Sequence, residues 1–518
     1  MVDIVGPTTF GDAWDAAVRF SGDRPFLVFL ALDGSRRQYS YADFDAQVTR
    51  TAAALAALGI GVGTTVAMHL GNSPEFILCL LGLAKVGAIA IPVGKEATDT
   101  ELRAGYRQAG AEWAIVDPDS AALHVTLRDD GLLPGGLLLA HGSGEGLTSL
   151  ADLTTHDLPT PPRPAIDSDA VAELMFTSGT TAGPKCVMIT HANVVFSGHY
   201  AVWQASLRPD DRIFTTMPAC HSNFQLVALS GAIVAGACLV LAEKYSARRF
   251  WSHVRAERAT VIQLVAMMAR TLLLQPPDPA DGRHEVRETL YFMPLDDADK
   301  QEFERRFHVR LMNSYGLTES IGWAVTDPPV GERRWPSVGR AGLGYEVAIK
   351  DPLGRELPPG EVGEFWIRGV PGRTLMAGYL GNPEATAATL SADGWLRTSD
   401  IGYCDAEGWF FFLDRATNLI KRAGENISAT EVEVVLTRHP LIAEAAVIGV
   451  PDPIRDEAVK AFVQLVPGAR LSADEIDRHC RQHLAAFKVP EIIVFVTEFP
   501  RTESMKIEKH LLHNPKKG

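Results

Sequence analysis

The stretch Leu174–His191 reads LMFTSGTTAGPKCVMITH. A short apolar run leads into Thr177, Ser178, Gly179, Thr180, Thr181, Ala182, Gly183, Pro184 and Lys185, and a second apolar run follows. Hydroxyls and glycines gathered in one loop present O–H and N–H donors that wrap phosphate oxygens, and a lysine adds positive charge. The spacing is not that of a Walker A loop, which places four residues between its glycines and ends in Gly-Lys-Ser/Thr. Here three residues separate Gly179 from Gly183, and Pro184 precedes Lys185. The expectation is therefore a strand running into a phosphate-binding loop without a P-loop helix behind it.

Outward from this loop, helical periods alternate with short apolar runs. Tyr41 to Leu58 reads as an amphipathic helix, Thr65 to Leu70 as a strand, Glu75 to Val86 as a helix and Ala88 to Val93 as a strand. This βαβα rhythm, resumed from Arg212 to Phe292, predicts parallel, doubly wound sheets. After about Ser337 the texture changes. Short strands at Glu346–Ile349, Gly363–Arg368 and Gly408–Leu413 are separated by Gly, Pro and Asp, which predicts a β-rich subdomain over 337–416. From Ser428 onward a helix, strands at Ala445–Gly449 and Val459–Leu465, and a helix over Ser472–Leu484 with Ser472 as N-cap predict a separate α+β unit of about 100 residues.

At 518 residues the chain is too long for one core, so two or more domains are expected. The 49 Lys and Arg against 63 Asp and Glu give −14, an acidic balance that argues against coating nucleic acid. Cys79, Cys186, Cys220, Cys238, Cys404 and Cys480 form no CxxC pair, so neither a zinc site nor a redox motif is indicated. Such scattered cysteines suit a reducing compartment. The first residues lack a basic-then-apolar layout, so no signal peptide is expected and a cytoplasmic location follows. Two apolar segments, Phe76–Val93 and Leu226–Ala242, each fall short of the roughly 20 apolar residues that span a bilayer. Lys85 and Pro92 interrupt the first, and Gly231 and Gly236 the second. Each is expected to be a buried helix followed by a buried strand, with no membrane anchor.

The loop segment resembles the phosphate-binding loop of the adenylate-forming superfamily, which includes acyl- and aryl-CoA synthetases, and further blocks resemble that superfamily in its order. In Asn313–Ser320, NSYGLTES, the resemblance implies that Tyr315 lies against adenine, Thr318 bonds phosphate and Glu319 holds magnesium. A carboxylate beside a triphosphate makes physical sense with a cation between them. In Trp395–Tyr403, WLRTSDIGY, Asp400 would accept the ribose hydroxyls. Asp414 and Arg415 match the block that ends the large domain, with Arg415 touching ribose or phosphates. In Pro500–Lys506, PRTESMK, Lys506 would reach the α-phosphate and the carboxylate, where negative charge builds. Arg422, Gly424 and Glu425 lie in the RAGENI segment, on the loop that family members use to pass the CoA thiol. His221, in MPACHSN, matches a position near the acyl pocket. Trp203, Asn223, Phe224, Met267 and Trp323 are lining candidates, with core packing the better expectation for most.

The resemblance runs from near Ala13 to near Leu512. It implies a large N-terminal domain, 1–416, of two doubly wound sheets plus a distorted β-barrel. A small mobile domain, 417–518, carries the catalytic lysine. The implied reaction uses ATP and Mg2+ to turn a small acid into an adenylate and then passes the acyl group to CoA. VLAEKYSARRFW, RRWPSVGR and GVPDPIRDEAVKAFV look like the carnitine/crotonobetaine-CoA ligase branch. A homodimer is the expected assembly.

The sequence departs from the family pattern where Cys186, Ser399, Ala423 and Met505 replace glycine and where Thr417 replaces the Lys or Asp hinge. Ala423 adds a methyl group beside the expected thiol route and disfavours a positive φ, and Met505 flanks Lys506. These changes keep open a non-CoA acceptor, as in ATP-dependent diazotases that activate nitrite for an aryl amine or in amide-forming ligases. A catalytically silent nucleotide-binding regulator is a third alternative. Cys186 is expected to be a buried small hydrophobe and not a nucleophile.

Overall fold

The computed structural model describes residues 3–177, 185–415, 418–422, 425–453, 455–501 and 507–512. Among the described residues the strands form four sheets. The first runs in the order Arg340–Ala341, Val325–Thr326, Leu311–Tyr315, Glu288–Phe292, Val261–Val265, Arg212–Thr215, Cys238–Ala242, Pro25–Leu30 and Arg36–Ser40. Its six central strands are parallel, and antiparallel strands close both edges. In the second, Gly378–Tyr379 lies antiparallel to Lys185–Thr190, which in turn lies antiparallel to Val171–Thr177. That strand continues parallel into Ile89–Val93, Thr65–His69, Trp113–Val116, Gly136–Leu139 and Thr148–Ser149.

These sheets share one large core, and the second sheet carries a further cluster around Leu102, Tyr106 and Leu127. The sequence signals behind them are local and strong. The helix Tyr41–Ala57 begins at a Ser40 capping box closed by Asp43, and Pro74–Val86 begins at Ser73 and ends at Gly87 with φ 77°. Each matches the predicted element to within a residue or two, because a side-chain acceptor at the N-cap fixes where each helix starts and a left-handed glycine at the C-cap fixes where the second stops. One segment departs from expectation. Leu226–Ala242 is not one regular helix before its strand: Asn223–Leu229 is π-helical, Ser230–Ala235 is α-helical, and Cys238–Ala242 is the strand. No helix among the described residues is long and apolar enough to cross a membrane.

The β-rich subdomain is built on a four-stranded antiparallel sheet, Glu346–Lys350, Gly363–Arg368, Trp395–Cys404 and Phe410–Arg415. The C-terminal part has its own sheet, in which Asp456–Leu465 is central and Ile442–Asp452 pairs along one side of it, and its own apolar cluster around Val432, Leu436, Val459 and Ile476. Its helix Ala473–His483 starts where predicted, with Ser472 and Glu475 closing a capping box. Among the described residues, contacts at Asp414 and at Arg438 help tie this part to the large one. Asp414, 1% exposed at the end of a large-domain strand, accepts the Ser428 hydroxyl at 3.0 Å and the Thr430 N–H at 2.9 Å, at the first turn of the helix Ala429–Thr437. Arg438, just past that helix, pairs with Asp296 of the large domain.

Candidate active site

The hairpin around the phosphate loop is formed by Val171–Thr177 and Lys185–Thr190, with Thr177 directly opposite Lys185. The two ends of the loop are thus held side by side. Ser178, Gly179, Thr180, Thr181 and Gly183 lie outside the described residues. Beyond the hairpin, Thr190 caps the helix His191–Ala205, and its hydroxyl donates to the Gly372 carbonyl at 2.6 Å. Asn193 donates to the carbonyls of Arg373 and Leu375. The 372–376 segment is therefore pinned beside the hairpin, and the Met376 N–H donates to the Glu319 carbonyl at 2.9 Å.

Glu319 reaches this point from the end of the strand Leu311–Tyr315. A turn at Gly316 brings the chain so close to Gly322 that a Cβ on Gly316 would lie 2.5 Å from the Gly322 oxygen. The short turn Thr318–Ser320 follows, then Ile321 at φ 61°, and the Gly322 N–H donates to the Ser320 carbonyl at 2.6 Å. A β-branched residue at positive φ is a strained conformation. The Tyr345 hydroxyl holds it, donating to the Ser320 carbonyl and accepting the Gly322 N–H at 3.2 Å. Thr318 and Glu319 are thereby presented on a fixed backbone. Strain of this kind persists only where the surroundings over-determine it, and it gathers at functional sites.

Two polar groupings meet here. In the first, Asp400, 2% exposed, accepts the Tyr315 hydroxyl at 2.7 Å on one oxygen and the Arg415 Nε at 3.0 Å on the other. Asp400 and Arg415 face each other across paired strands, and the Tyr315 ring lies against Phe365 and Phe412. In the second, the Tyr379 hydroxyl donates to the Glu319 carboxylate at 2.9 Å, and the Lys185 ammonium stands 4.7 Å from the Tyr379 ring centre. The groupings share one electrostatic field. Burial works against the Arg415 charge, but Asp400, Tyr315 and Glu319 outweigh it and hold its pKa above the ordinary arginine value. Burial, reinforced by Glu319, pushes the Tyr379 hydroxyl well above its usual range. Two cations, Lys185 and Arg415, and two carboxylates, Asp400 and Glu319, thus stand within one site.

The His221 carbonyl accepts the Phe224 and Gln225 N–H groups, opening the π-helical turn. Next to it, the Ser222 and Thr318 hydroxyls lie 3.4 Å apart. The turn is anchored from the parallel sheet: Gln263 donates to the Asn223 carbonyl at 3.1 Å and accepts the Thr215 hydroxyl at 2.7 Å. π-Helical turns recur at functional sites. Of the expected lining residues, Phe224 is fully buried and packs edge-on against Phe76, as core. Trp323 is 7% exposed against Phe292, and Trp203 packs on Tyr200. Asn223 and Met267 are half-buried.

Arg422 stands apart from both groupings. It is buried in the C-terminal part, where it donates to the Phe487 carbonyl and pairs with Glu491. Glu425 pairs with it through the backbone. Thr417, Ala423, Gly424, Met505 and Lys506 lie outside the described residues. Tyr379 was not singled out by the sequence. Its only signal is the short MAGYL run, which carries no periodicity. Cys186 is buried, and burial pushes its thiol up to about 12, as fits a packing residue.

A family model described as AMP-binding enzyme matches residues 14–380, and one described as AMP-binding enzyme C-terminal domain matches 431–506. The crotonobetaine/carnitine–CoA ligases of Salmonella agona and Salmonella typhimurium are 42% identical over 513 residues, covering 98% of this chain and 99% of theirs. Among solved structures, the anthranilate CoA ligase AuaEII in complex with anthranoyl-AMP superposes with a TM-score of 0.87 at 26% identity, covering 98% of this chain and 96% of that one. ATP-bound MatB from Rhodopseudomonas palustris gives 0.86 at 25% identity, covering 98% of both chains. The o-succinylbenzoate CoA synthetase MenE from Bacillus subtilis, with its acyl-adenylate, gives 0.85 at 26%, again covering 98% of both. The chain belongs to the AMP-binding enzyme family, as an adenylate-forming ligase of the acyl-CoA synthetase kind.

Proposed function

We propose that the protein uses ATP to activate a small carboxylic acid as its adenylate and then transfers the acyl group to CoA. In the first half-reaction a substrate carboxylate oxygen attacks the α-phosphorus, the bond to the β-phosphate oxygen breaks, and pyrophosphate leaves. In the second the CoA thiol, giving up its proton, attacks the acyl carbonyl and AMP leaves. Tyr315 flanks the adenine, while Asp400 and Arg415 hold the ribose. The 177–185 loop with Lys185 steers the phosphates, Thr318 bonds them, and Lys506 offsets charge at the reacting oxygens. Such chemistry is mainly positioning and electrostatics.

The donor set fits Mg2+. Glu319 and Thr318 offer hard oxygen atoms, and no cluster of three or more ligating side chains exists among the described residues. Mg2+ is commonly bound in this way, by one or two carboxylates plus substrate phosphates and not by an all-protein cage. When bound, it would offset charge on the leaving phosphates.

The observation that carries the reading is Asp400, a nearly buried carboxylate shared by Tyr315 and Arg415 within one field with Glu319. His221 and the π-helical turn would border the acyl group, and Arg422, Gly424 and Glu425 the thiol route. The division falls at residues 416 and 417, with rotation near Thr417 between half-reactions. The proposal includes a homodimer in the cytoplasm, and sedimentation velocity tests the assembly.

The test is pyrophosphate release across a panel of acids with and without CoA, beginning with crotonobetaine and carnitine, the acids named for the relatives at 42% identity. Release that requires one organic acid and ends in its thioester is the expected result. Release with nitrite and an aryl amine, indifferent to CoA, overturns it.

A further inference from the structure

Tyr379 touches both halves of the ATP-handling apparatus. Its hydroxyl donates to Glu319 at 2.9 Å, and its ring carries the Lys185 ammonium at 4.7 Å. It is 4% exposed and rigidly mounted. Gly378 and Tyr379 form a two-residue strand opposite Met188 and Val187, and flanking N–H groups of Ala377 and Leu380 donate to Met188 and Cys186 at 3.0 and 2.8 Å. The Tyr379 N–H itself donates to the Thr386 hydroxyl at 2.9 Å. The ring therefore stands between a lysine and a glutamate that would otherwise attract each other, and no ion pair joins Lys185 to Glu319 among the described residues.

We propose that Tyr379 is the positioning residue of the metal-holding carboxylate, presetting Glu319 for Mg2+ and keeping it from the Lys185 ammonium. The inference rests on the reading of Glu319 given above. A hydrogen bond to a ligating carboxylate fixes which lone pairs face the cation, and removing such a partner costs about 10- to 100-fold in metal affinity or activity. The hydroxyl does this while the ring spaces the charges, so the two functions separate by substitution.

In Tyr379→Phe the ring stays and the hydroxyl goes. Mn2+ binding, followed by electron paramagnetic resonance with a non-hydrolysable ATP analogue, is expected to weaken about tenfold or more. Analogue binding without metal stays unchanged. In pyrophosphate release the half-saturating Mg2+ concentration rises by a similar factor while KM for the acid holds, a split that a general loss of folding does not produce. Wild-type Mn2+ affinity in Tyr379→Phe overturns the inference. Glu319→Gln separates the two failures. If it weakens Mn2+ binding and Tyr379→Phe does not, only the role of Tyr379 falls. If Glu319→Gln binds Mn2+ as the wild type does, the reading of Glu319 falls and the inference with it.

Discussion

Glu173 sits in the strand that leads into the phosphate loop, four residues before Thr177, and it is 1% exposed. Both its carboxyl oxygens are buried without a hydrogen-bond partner among the described residues, and its backbone neighbours are Ala90 and Ile189. Burial pushes its pKa up to about 8, from an ordinary value of 4.5. The folded state therefore keeps a proton that the unfolded chain releases above pH 4.5. Stability from this group is fully present below that pH and is lost as pH climbs through about 8. At 1.36 kcal/mol per unit the whole window is worth about 5 kcal/mol, and the span from about pH 5.5 to 7.5 about 3 kcal/mol. Glu173→Met keeps the volume and removes the ionisable group. Urea denaturation at a series of pH values is expected to show the variant gaining on the wild type by that amount as pH rises. The variant is also expected to lead at low pH, because an unpartnered polar group has been removed from the core. A difference between the two proteins that stays constant from pH 5.5 to 8.5 would refute the reasoning.

Three further outcomes are expected. Ser399, exposed on a strand paired on both sides, holds φ 60°, a conformation that costs a non-glycine residue about 1–2 kcal/mol, so Ser399→Gly should raise the thermal midpoint in differential scanning fluorimetry. Asp400→Asn weakens the grip on two donors at once; at about 1.5–3 kcal/mol for a charged hydrogen bond, KM for ATP in pyrophosphate release should rise about ten- to a hundredfold. Cys186, with its thiol pushed up to about 12, should escape iodoacetamide at pH 8 in a peptide-mapping experiment, and Cys186→Ala should retain activity.

Many elements of both domains were legible because their signals are local. Tyr41–Ala57 and Ala473–His483 carry capping boxes within four residues of sequence, and alternating strands and helices declare a parallel sheet before any contact is known. The candidate ATP-handling residues were picked out from blocks whose residue types suit phosphate, ribose and metal, and the structure brings Tyr315, Asp400, Arg415 and Glu319 of those blocks together. Tyr379 was not legible, because its hydrogen bond to Glu319 spans 60 residues and depends on which strand lies beside Lys185–Thr190. Sheet register is a long-range property that periodicity does not encode. The π-helical turn at Asn223–Leu229 escaped for a related reason: an apolar run reads alike in α- and π-helix, and the anchor that selects the wider turn is Gln263, on a distant strand. Glu173 was invisible because a glutamate within an apolar run carries no mark of being unpartnered.

Asp414 belongs to a strand of the large domain, yet its carboxylate serves the first turn of a helix in the small one. That turn is the positive pole of the helix, with roughly half a unit charge. On the reading proposed above, the small domain swings between half-reactions about a point three residues away. Each swing must either carry this carboxylate along or uncouple an anion from its pole and leave donors bare. The joint then behaves as a detent and not as a free pivot, resting at definite stops. An enzyme that stores a hydrolysable adenylate between two reactions has a use for stops, since they set how long the intermediate waits in the open. Loosening the catch would show as adenylate lost to water, ahead of any fall in the first half-reaction.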